Sequence, residues 1–321
     1  MPYARAILVA LLGFSLIVAC RRPPAPEGAS RTILVGETGL HKRPERLSSK
    51  IATLKYGQQV ILLPKKSIRI PAEWVEVYLD EARSGFVRKS ALAAPETVEA
   101  LRRLQQSLEG IEPQASGQTI VSTHFRLEPG RDGKPIEKLP AGTRFEMFER
   151  LATLRSRAPS LSVDYAPPQK DIWYKVRLGD GRVGYIYTKN FRLEPPAELS
   201  RYTQFRRPIA WLVLKTRQSE DFGTVREYLV AYASPGKDFG ADFDRVEAYQ
   251  WDGKQYQTAF FLSSLRGILP IRVIRQENGV YFELTELDPG QKGQVTVQRY
   301  SYAYPYKKVE STSLPREVGL H

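Results

Sequence analysis

Trp74-Val75-Glu76-Val77-Tyr78-Leu79 recurs later in the chain as Trp173-Tyr174-Lys175-Val176-Arg177-Leu178. The match continues without a gap: Arg83 falls on Arg182, Gly85-Phe86-Val87 on Gly184-Tyr185-Ile186, and Leu92 on Phe191, at the spacing that separates Trp74 from Trp173. Upstream, Leu40, Pro44, Leu54, Gly57 and Val60 fall on Phe125, Pro129, Leu139, Gly142 and Phe145, at a shorter constant spacing. Self-similarity of this kind marks a duplicated structural unit. The difference in spacing is taken up in one segment, Glu149 to Asp171, whose Arg, Ser and Pro content predicts an exposed loop insertion.

Each copy reads as several short strands: an extended start, a leucine-glycine turn into an apolar strand, then Trp-x-x-Val-x-Leu, a polar hairpin and Gly-aromatic-aliphatic. Many short strands punctuated by glycine predict a small closed barrel. Along Trp74–Leu79 the side chains alternate, so Val75, Val77 and Leu79 are expected in the core and Trp74, Glu76 and Tyr78 on the other face. Trp173, Lys175 and Arg177 repeat that arrangement.

These residues resemble bacterial SH3-like domains, in which a Trp-Val-Lys-Val strand leads through a turn into Gly-Trp-Val. The resemblance covers roughly residues 32–94 and 119–195. The first copy departs from the pattern with Leu40-His41-Lys42-Arg43-Pro44 where Leu-Asn-Val-Arg would stand, and the second by its insertion. The resemblance implies a shallow groove for an extended peptide or a wall stem peptide, and the groove candidates are Trp74, Tyr78, Trp173 and Arg177. The alternative is that each tryptophan packs against its own neighbouring loop.

Between the copies, residues 95–112 place Val98, Leu101, Leu104 and Leu108 at helical spacing, framed by Pro95 and Gly110. A short connecting helix docked on a barrel is expected. Residues 202–310 contain runs rich in aromatic and branched residues: Ile209–Thr216, Arg226–Ala233, Asp244–Trp251, Tyr256–Leu262, Ile271–Arg275, Val280–Leu287 and Gln294–Tyr304. Trp251-Asp252-Gly253-Lys254 and Glu277-Asn278-Gly279-Val280 are hairpin signals. The predicted fold is all-β: two SH3-like barrels joined by a short helix, then an antiparallel β-meander domain, closed or sandwiched.

The amino terminus carries a different message. Arg5 precedes an apolar run, Ala6 to Ala19, too short to span a bilayer core of ~30 Å, and the run ends at Cys20, the chain's single cysteine. This resembles bacterial lipoprotein signal peptides, with residues 1–19 removed and Cys20 acylated on sulfur and on its new amino group. Two or more acyl chains anchor stably where one does not. The bland alternative is an ordinary secretory cut that leaves a free thiol. Residues 20–31, starting Arg21-Arg22-Pro23-Pro24, read as a Pro-rich tether. Arg21 stands where an Asp would retain such a lipoprotein at the inner membrane, so the resemblance implies the outer membrane, on its periplasmic face.

With no other cysteine there is no internal disulfide, and the formal charge of +13 favours anionic surfaces such as headgroups, wall polymers or acidic proteins. Nucleic acid is a poor partner for an exported protein. Catalytic motifs are wanting: the single Cys is assigned to lipid, and neither a Gly-x-Ser-x-Gly elbow nor a phosphate loop occurs. His41, His124 and His321 are scattered, and Asp238, Asp242 and Asp244 match no calcium loop, so no metal or other cofactor is expected. Tyr300, Tyr302, Tyr304 and Tyr306 share one side of an extended segment, either to stack on sugars or to pack. The preferred reading is a non-catalytic, lipid-anchored envelope protein whose SH3-like modules contact peptidoglycan or envelope proteins. The runner-up is a structural or assembly lipoprotein that binds only protein partners.

Overall fold

The computed structural model describes residues 27–64, 70–154, 170–204, 206–234, 241–288, 290, 294–303 and 306–315. The signal segment, Cys20 and most of the tether lie outside the described residues. Among the described residues the structure is all-β apart from one α-helix and three short 3-10 turns.

The first copy forms β1 (Ser30–Ile33), β2 (Glu37–His41), β3 (Lys50–Lys55), β4 (Gln59–Leu62), β5 (Trp74–Asp80), β6 (Arg83–Arg88) and β7 (Leu92–Ala93), in the sheet order β3-β2-β6-β5-β4-β1-β7. After helix α1 (Pro95–Gln106) the second copy forms β8 (Ala115–Thr119), β9 (Thr123–Arg126), β10 (Pro135–Leu139), β11 (Arg144–Leu154), β12 (Lys170–Leu178), β13 (Val183–Tyr187) and β14 (Phe191–Leu193). Its order, β10-β9-β13-β12-β11-β8-β14, is that of the first copy with every strand advanced by seven. The duplication read from the sequence is therefore a duplication of topology. Each sheet curls into a half-barrel, not the closed barrel expected.

Equivalent positions fill the two cores. Leu40, Leu54, Val60, Val77 and Val87 are buried in the first, and Phe125, Leu139, Phe145, Val176 and Ile186 in the second. Burying each such side chain is worth ~1.5–3 kcal/mol. The repeated glycines have a physical reason: a Cβ on Gly85 would lie 2.5 Å from the His41 carbonyl oxygen, and one on Gly184 would lie 2.6 Å from that of Arg126. Only glycine lets β6 and β13 approach β2 and β9 so closely. Gly57 and Gly142 sit at φ of 82° and 81°, which fits them to the turns before β4 and β11.

The Glu149–Asp171 segment is only partly a loop. β11 and β12 continue into it as a hairpin, paired from Glu149 with Lys175 to Leu154 with Lys170. Residues 155–169 lie outside the described ones. Helix α1 begins with Pro95 in its first turn, carries Glu96 early and Arg103 late, and buries Thr97 and Leu101.

The third region is one sheet in sequence order: β15 (Pro208–Ser219), β16 (Gly223–Tyr232), β17 (Phe243–Trp251), β18 (Tyr256–Gln276), β19 (Gly279–Leu287), β20 (Gln294–Ser301) and β21 (Lys307–Pro315). The meander is as expected: the ladder runs in order from β15 to β21, and Tyr302, just past β20, reaches back to Glu227 of β16 at 3.0 Å, so the sheet curls over its own core. Two strands predicted separately, Tyr256–Leu262 and Ile271–Arg275, are halves of β18. The break read at Ser263–Pro270 is a pair of irregularities within it, a positive φ of 61° at Ser264 and a register shift between Ile268 and Arg272. β21 went unpredicted because its residues are all exposed, so it carries no alternation to read.

The hairpin signal at Asp252 is borne out. Its Oδ1 accepts the backbone N–H of Lys254 and of Gln255, each at 2.9 Å, and its Oδ2 accepts the Gln257 side-chain amide at 2.9 Å. These donors, Gln257 first, hold its carboxyl down at about 2, from an ordinary 3.8. A depressed carboxylate contributes stability above its unfolded pKa and loses it as pH falls through the folded value. Asp252→Asn is therefore expected to lower stability at neutral pH and to flatten the acid limb between about pH 4 and pH 2, where the wild type loses the same contribution, read from urea midpoints.

Candidate ligand site on the half-barrels

Register gives the two tryptophans the same surroundings. Trp74 pairs with Arg88 across β5 and β6, and Trp173 with Tyr187 across β12 and β13. His41 pairs with Phe86, and Arg126 with Tyr185, at equivalent points of the ladder. In the first copy the His41 ring meets Trp74 edge-on at 5.4 Å, and the Arg88 guanidinium lies 5.6 Å from the indole centroid. In the second copy the roles are exchanged: Tyr187 is the ring, at 5.3 Å from Trp173, and Arg126 is the cation, at 5.9 Å. Each indole thus sits between one cation and one ring, an arrangement in which the ring quadrupole attracts the charge.

This corrects the groove expectation. Trp74 and Trp173 are only 5% and 3% exposed, so neither offers an open stacking platform. Strand parity holds for Val77 and Val176, which are in the cores. The opposite face is covered as well, because Trp173 packs with Leu151 and Tyr185 and is flanked by Leu104 and Tyr187. The extended β11–β12 hairpin supplies that cover, and Thr153 Oγ1 accepts the indole N–H at 3.1 Å. Tyr78 and Arg177, four residues along, are ~13 Å from the tryptophans by strand rise and do not join them. Arg177 instead donates to Glu146 Oε2 at 2.8 Å and stacks over Phe148 at 4.8 Å.

What the second copy keeps is a depression of about 180 Å³ beside the indole, lined by Thr123, His124, Arg126, Arg131, Trp173, Tyr187 and Asn190. Asn190 Nδ2 donates to Thr123 Oγ1 at 2.6 Å. Asp171, buried at 2% exposure, accepts from Arg131 Nε at 2.6 Å and from the Tyr187 hydroxyl at 3.2 Å. That carboxylate raises the Arg131 pKa and consumes its charge. Arg126 donates to the Gly133 carbonyl and pairs with no carboxylate among the described residues. Arg126, Tyr187, Asn190 and His124 escaped the reading of the sequence. The exchange of His41 and Arg88 for Arg126 and Tyr187 was visible in the aligned copies, but its meaning depends on register.

The remaining candidates resolve as packing. Tyr300 stacks on Phe282 at 5.3 Å and 15°, Tyr302 donates to buried Glu227 at 3.0 Å, and Tyr306 lies 5.6 Å from Tyr302. Tyr304, Asp238 and His321 lie outside the described residues. Asp242 is buried against Arg150, and Asp244 accepts the Ser234 N–H at 3.0 Å, so the aspartates do not converge. Among the described residues no group of His, Cys, Asp or Glu is placed to hold a metal, and no helix is long and apolar enough to cross a membrane.

No family model and no curated protein matches the chain. Among solved structures it is similar to NlpC2 of Trichomonas vaginalis at 12% identity, over 88% of this chain and 95% of that one, with a TM-score of 0.18. NlpC1 of the same organism matches at 12% identity over 89% and 93%, also with a TM-score of 0.18. Scores this low bear on neither the fold nor the activity.

Proposed function

We propose that this chain is a non-catalytic, lipid-anchored protein of the cell envelope, held through Cys20 on the periplasmic face of the outer membrane, whose SH3-like half-barrels contact peptidoglycan or envelope proteins. The observation that carries the reading is the duplication: two modules of identical strand order, each with a tryptophan between a cation and a ring, on a chain of net charge +13 behind a lipoprotein-like leader. Modules that bind feebly alone gain effective concentration when linked on one chain and confined to one surface.

Two measurements test it. Mass spectrometry of the protein isolated from its host is expected to show a chain starting at Cys20 with added acyl mass, and an intact Met1 or a bare thiol sinks the anchor. Sedimentation with purified sacculi at physiological salt is expected to retain the protein, and a protein left wholly in the supernatant sinks the wall-polymer reading.

One observation favours the runner-up, an assembly lipoprotein with only protein partners. A depression of about 440 Å³ on the third sheet is walled by Ile268, Pro270, Val295, Val297 and Leu314, with Arg272 and Glu283 beside it. Apolar concavities of this size suit side-chain anchors. Crosslinking in cells separates the two: a discrete protein adduct supports the runner-up, and sacculus-bound material supports the first reading.

A further inference from the structure

The two tryptophan clusters are equivalent in register but not in openness. In the first copy the His41 imidazole folds across Gly39, where a Cβ would meet its Nε2 at 2.5 Å, and closes against Trp74. In the second copy the position of Gly39 is held by His124, which is exposed, and Arg126 reaches along the indole instead. The wall of the depression is therefore rich in donors and positively charged. Arg126 pairs with no carboxylate among the described residues, Asn190 offers a side-chain amide and His124 an imidazole, while buried Asp171, outside the lining, is engaged by Arg131 and Tyr187. The rings of Trp173 and Tyr187 supply the apolar sides, and the adjacent turn extends them with Ile120 and Val121, 50% and 48% exposed. That turn is tied to the site by the Ile120 N–H, which donates to the Asn190 carbonyl at 2.9 Å.

From this we infer that the second half-barrel carries a binding site for the free terminal carboxylate of a short peptide, with Arg126 as the charge partner and the Tyr187 ring and the Ile120–Val121 turn flanking the terminal side chain. The inference deepens the envelope-binding reading and rests on it for the source of such peptides. A ligand that accepts hydrogen bonds and carries negative charge matches this inventory of donors. A neutral sugar cannot use the charge of Arg126, whereas a carboxylate can. The volume, well below the ~300–1,000 Å³ of pockets that enclose drug-sized ligands, suits one terminal residue.

The test uses the full-length protein in detergent, titrated with N-acetyl-alanyl-alanine as the free acid and as its carboxamide, and followed by the Trp173 indole and Asn190 amide resonances. The free acid is expected to bind and the carboxamide to bind at least about tenfold more weakly. Arg126→Gln is expected to lose about tenfold, Arg126→Lys to keep part of the affinity, and His41→Ala, in the first copy, to change nothing. Equal shifts from acid and carboxamide overturn the inference, as does full binding by a folded Arg126→Gln protein, or no response to the acid at concentrations on the order of 10 mM. Sacculus sedimentation separates this inference from the function it rests on. Free-acid binding by a protein that sacculi do not retain upholds the site and sinks the wall-polymer reading. Retention of wild type with no free-acid response does the reverse.

Discussion

Arg150→Ala is expected to cost ~3–5 kcal/mol of stability, because it strands a buried carboxylate. Arg150 projects from β11 of the second half-barrel to Asp242, just before β17 of the third sheet, with 2.7 Å between guanidinium and carboxylate; their side chains are 16% and 6% exposed. The other carboxylate oxygen accepts the Leu269 N–H at 2.8 Å. Burial raises the Asp242 pKa, and the nearby Arg150 opposes that rise. Removing the arginine leaves burial, the largest influence, opposed only by the Leu269 N–H, so Asp242 binds a proton more readily in the folded state than in the unfolded one. Stability of the variant is then highest in acid and falls as pH rises through the raised value. Urea midpoints of the full chain at neutral pH measure the loss, and a deficit under ~1 kcal/mol would remove the ion pair from the account. The double variant Arg150→Met, Asp242→Asn keeps an acceptor for Leu269 without a buried charge, and is expected to recover most of the stability.

Gln114→Ala is expected to cost ~3 kcal/mol through a different defect, backbone groups left without partners. Gln114 is wholly buried. Its side-chain amide copies a strand neighbour: Oε1 accepts the Ile271 N–H at 2.8 Å and Nε2 donates to the Ile271 carbonyl at 3.0 Å. Ile271 needs that substitute because it lies within the register shift between Ile268 and Arg272, where the ladder to β19 is interrupted. The backbone of Gln114 extends the seam, accepting from the Trp211 N–H and donating to the Met147 carbonyl, each at 2.7 Å. β8, β11, β15 and β18 are thereby joined through one residue. Alanine leaves the Ile271 amide and carbonyl unsatisfied beside a cavity the size of the lost side chain. Glutamate restores the acceptor but sets a carboxylate against two carbonyl oxygens, those of Ile271 and Glu112, so it is expected to do no better. Amide exchange at Ile271 reports the defect locally, and protection unchanged from wild type in Gln114→Ala would refute the role.

Both residues sit where the second half-barrel and the third sheet share a core. One continuous cluster runs from Phe125, Phe145 and Val176 through Leu199 to Leu212, Leu229 and Phe282, whereas the first half-barrel keeps its own around Leu40, Val77 and Val87. The first copy is attached more lightly, by Leu34 and Ala93 at the edge of that cluster and by the Gly36 N–H, which donates to Glu137 at 3.2 Å.

Much of this was legible in one dimension. The repeated Trp-x-x-Val-x-Leu and Gly-aromatic-aliphatic runs prescribed two copies of one topology, since alternation sets which residues are buried and the repeated glycines answer a backbone contact, at Gly85 and Gly184, or a positive φ, at Gly57 and Gly142. The helix was written in Pro95, Leu101 and Gly110, and most strands of the meander in their aromatic and branched residues. Gln114 gave no signal, because a glutamine in a connecting segment is ordinarily solvated and its partner lies more than 150 residues away. β21 gave none because its pairing uses only backbone.

Local periodicity alone thus determined the all-β class, the duplication, the connecting helix and the order of the hairpins, because these follow from which side chains avoid water along each short segment. Tertiary structure alone decided that both tryptophans are covered, that Asp242 pairs with Arg150, and that the second copy keeps a cationic hollow where His41 closes the first. Those outcomes turn on which side chains meet across strands, and a difference of one side chain, glycine at 39 against histidine at 124, is enough to fill the space or leave it open.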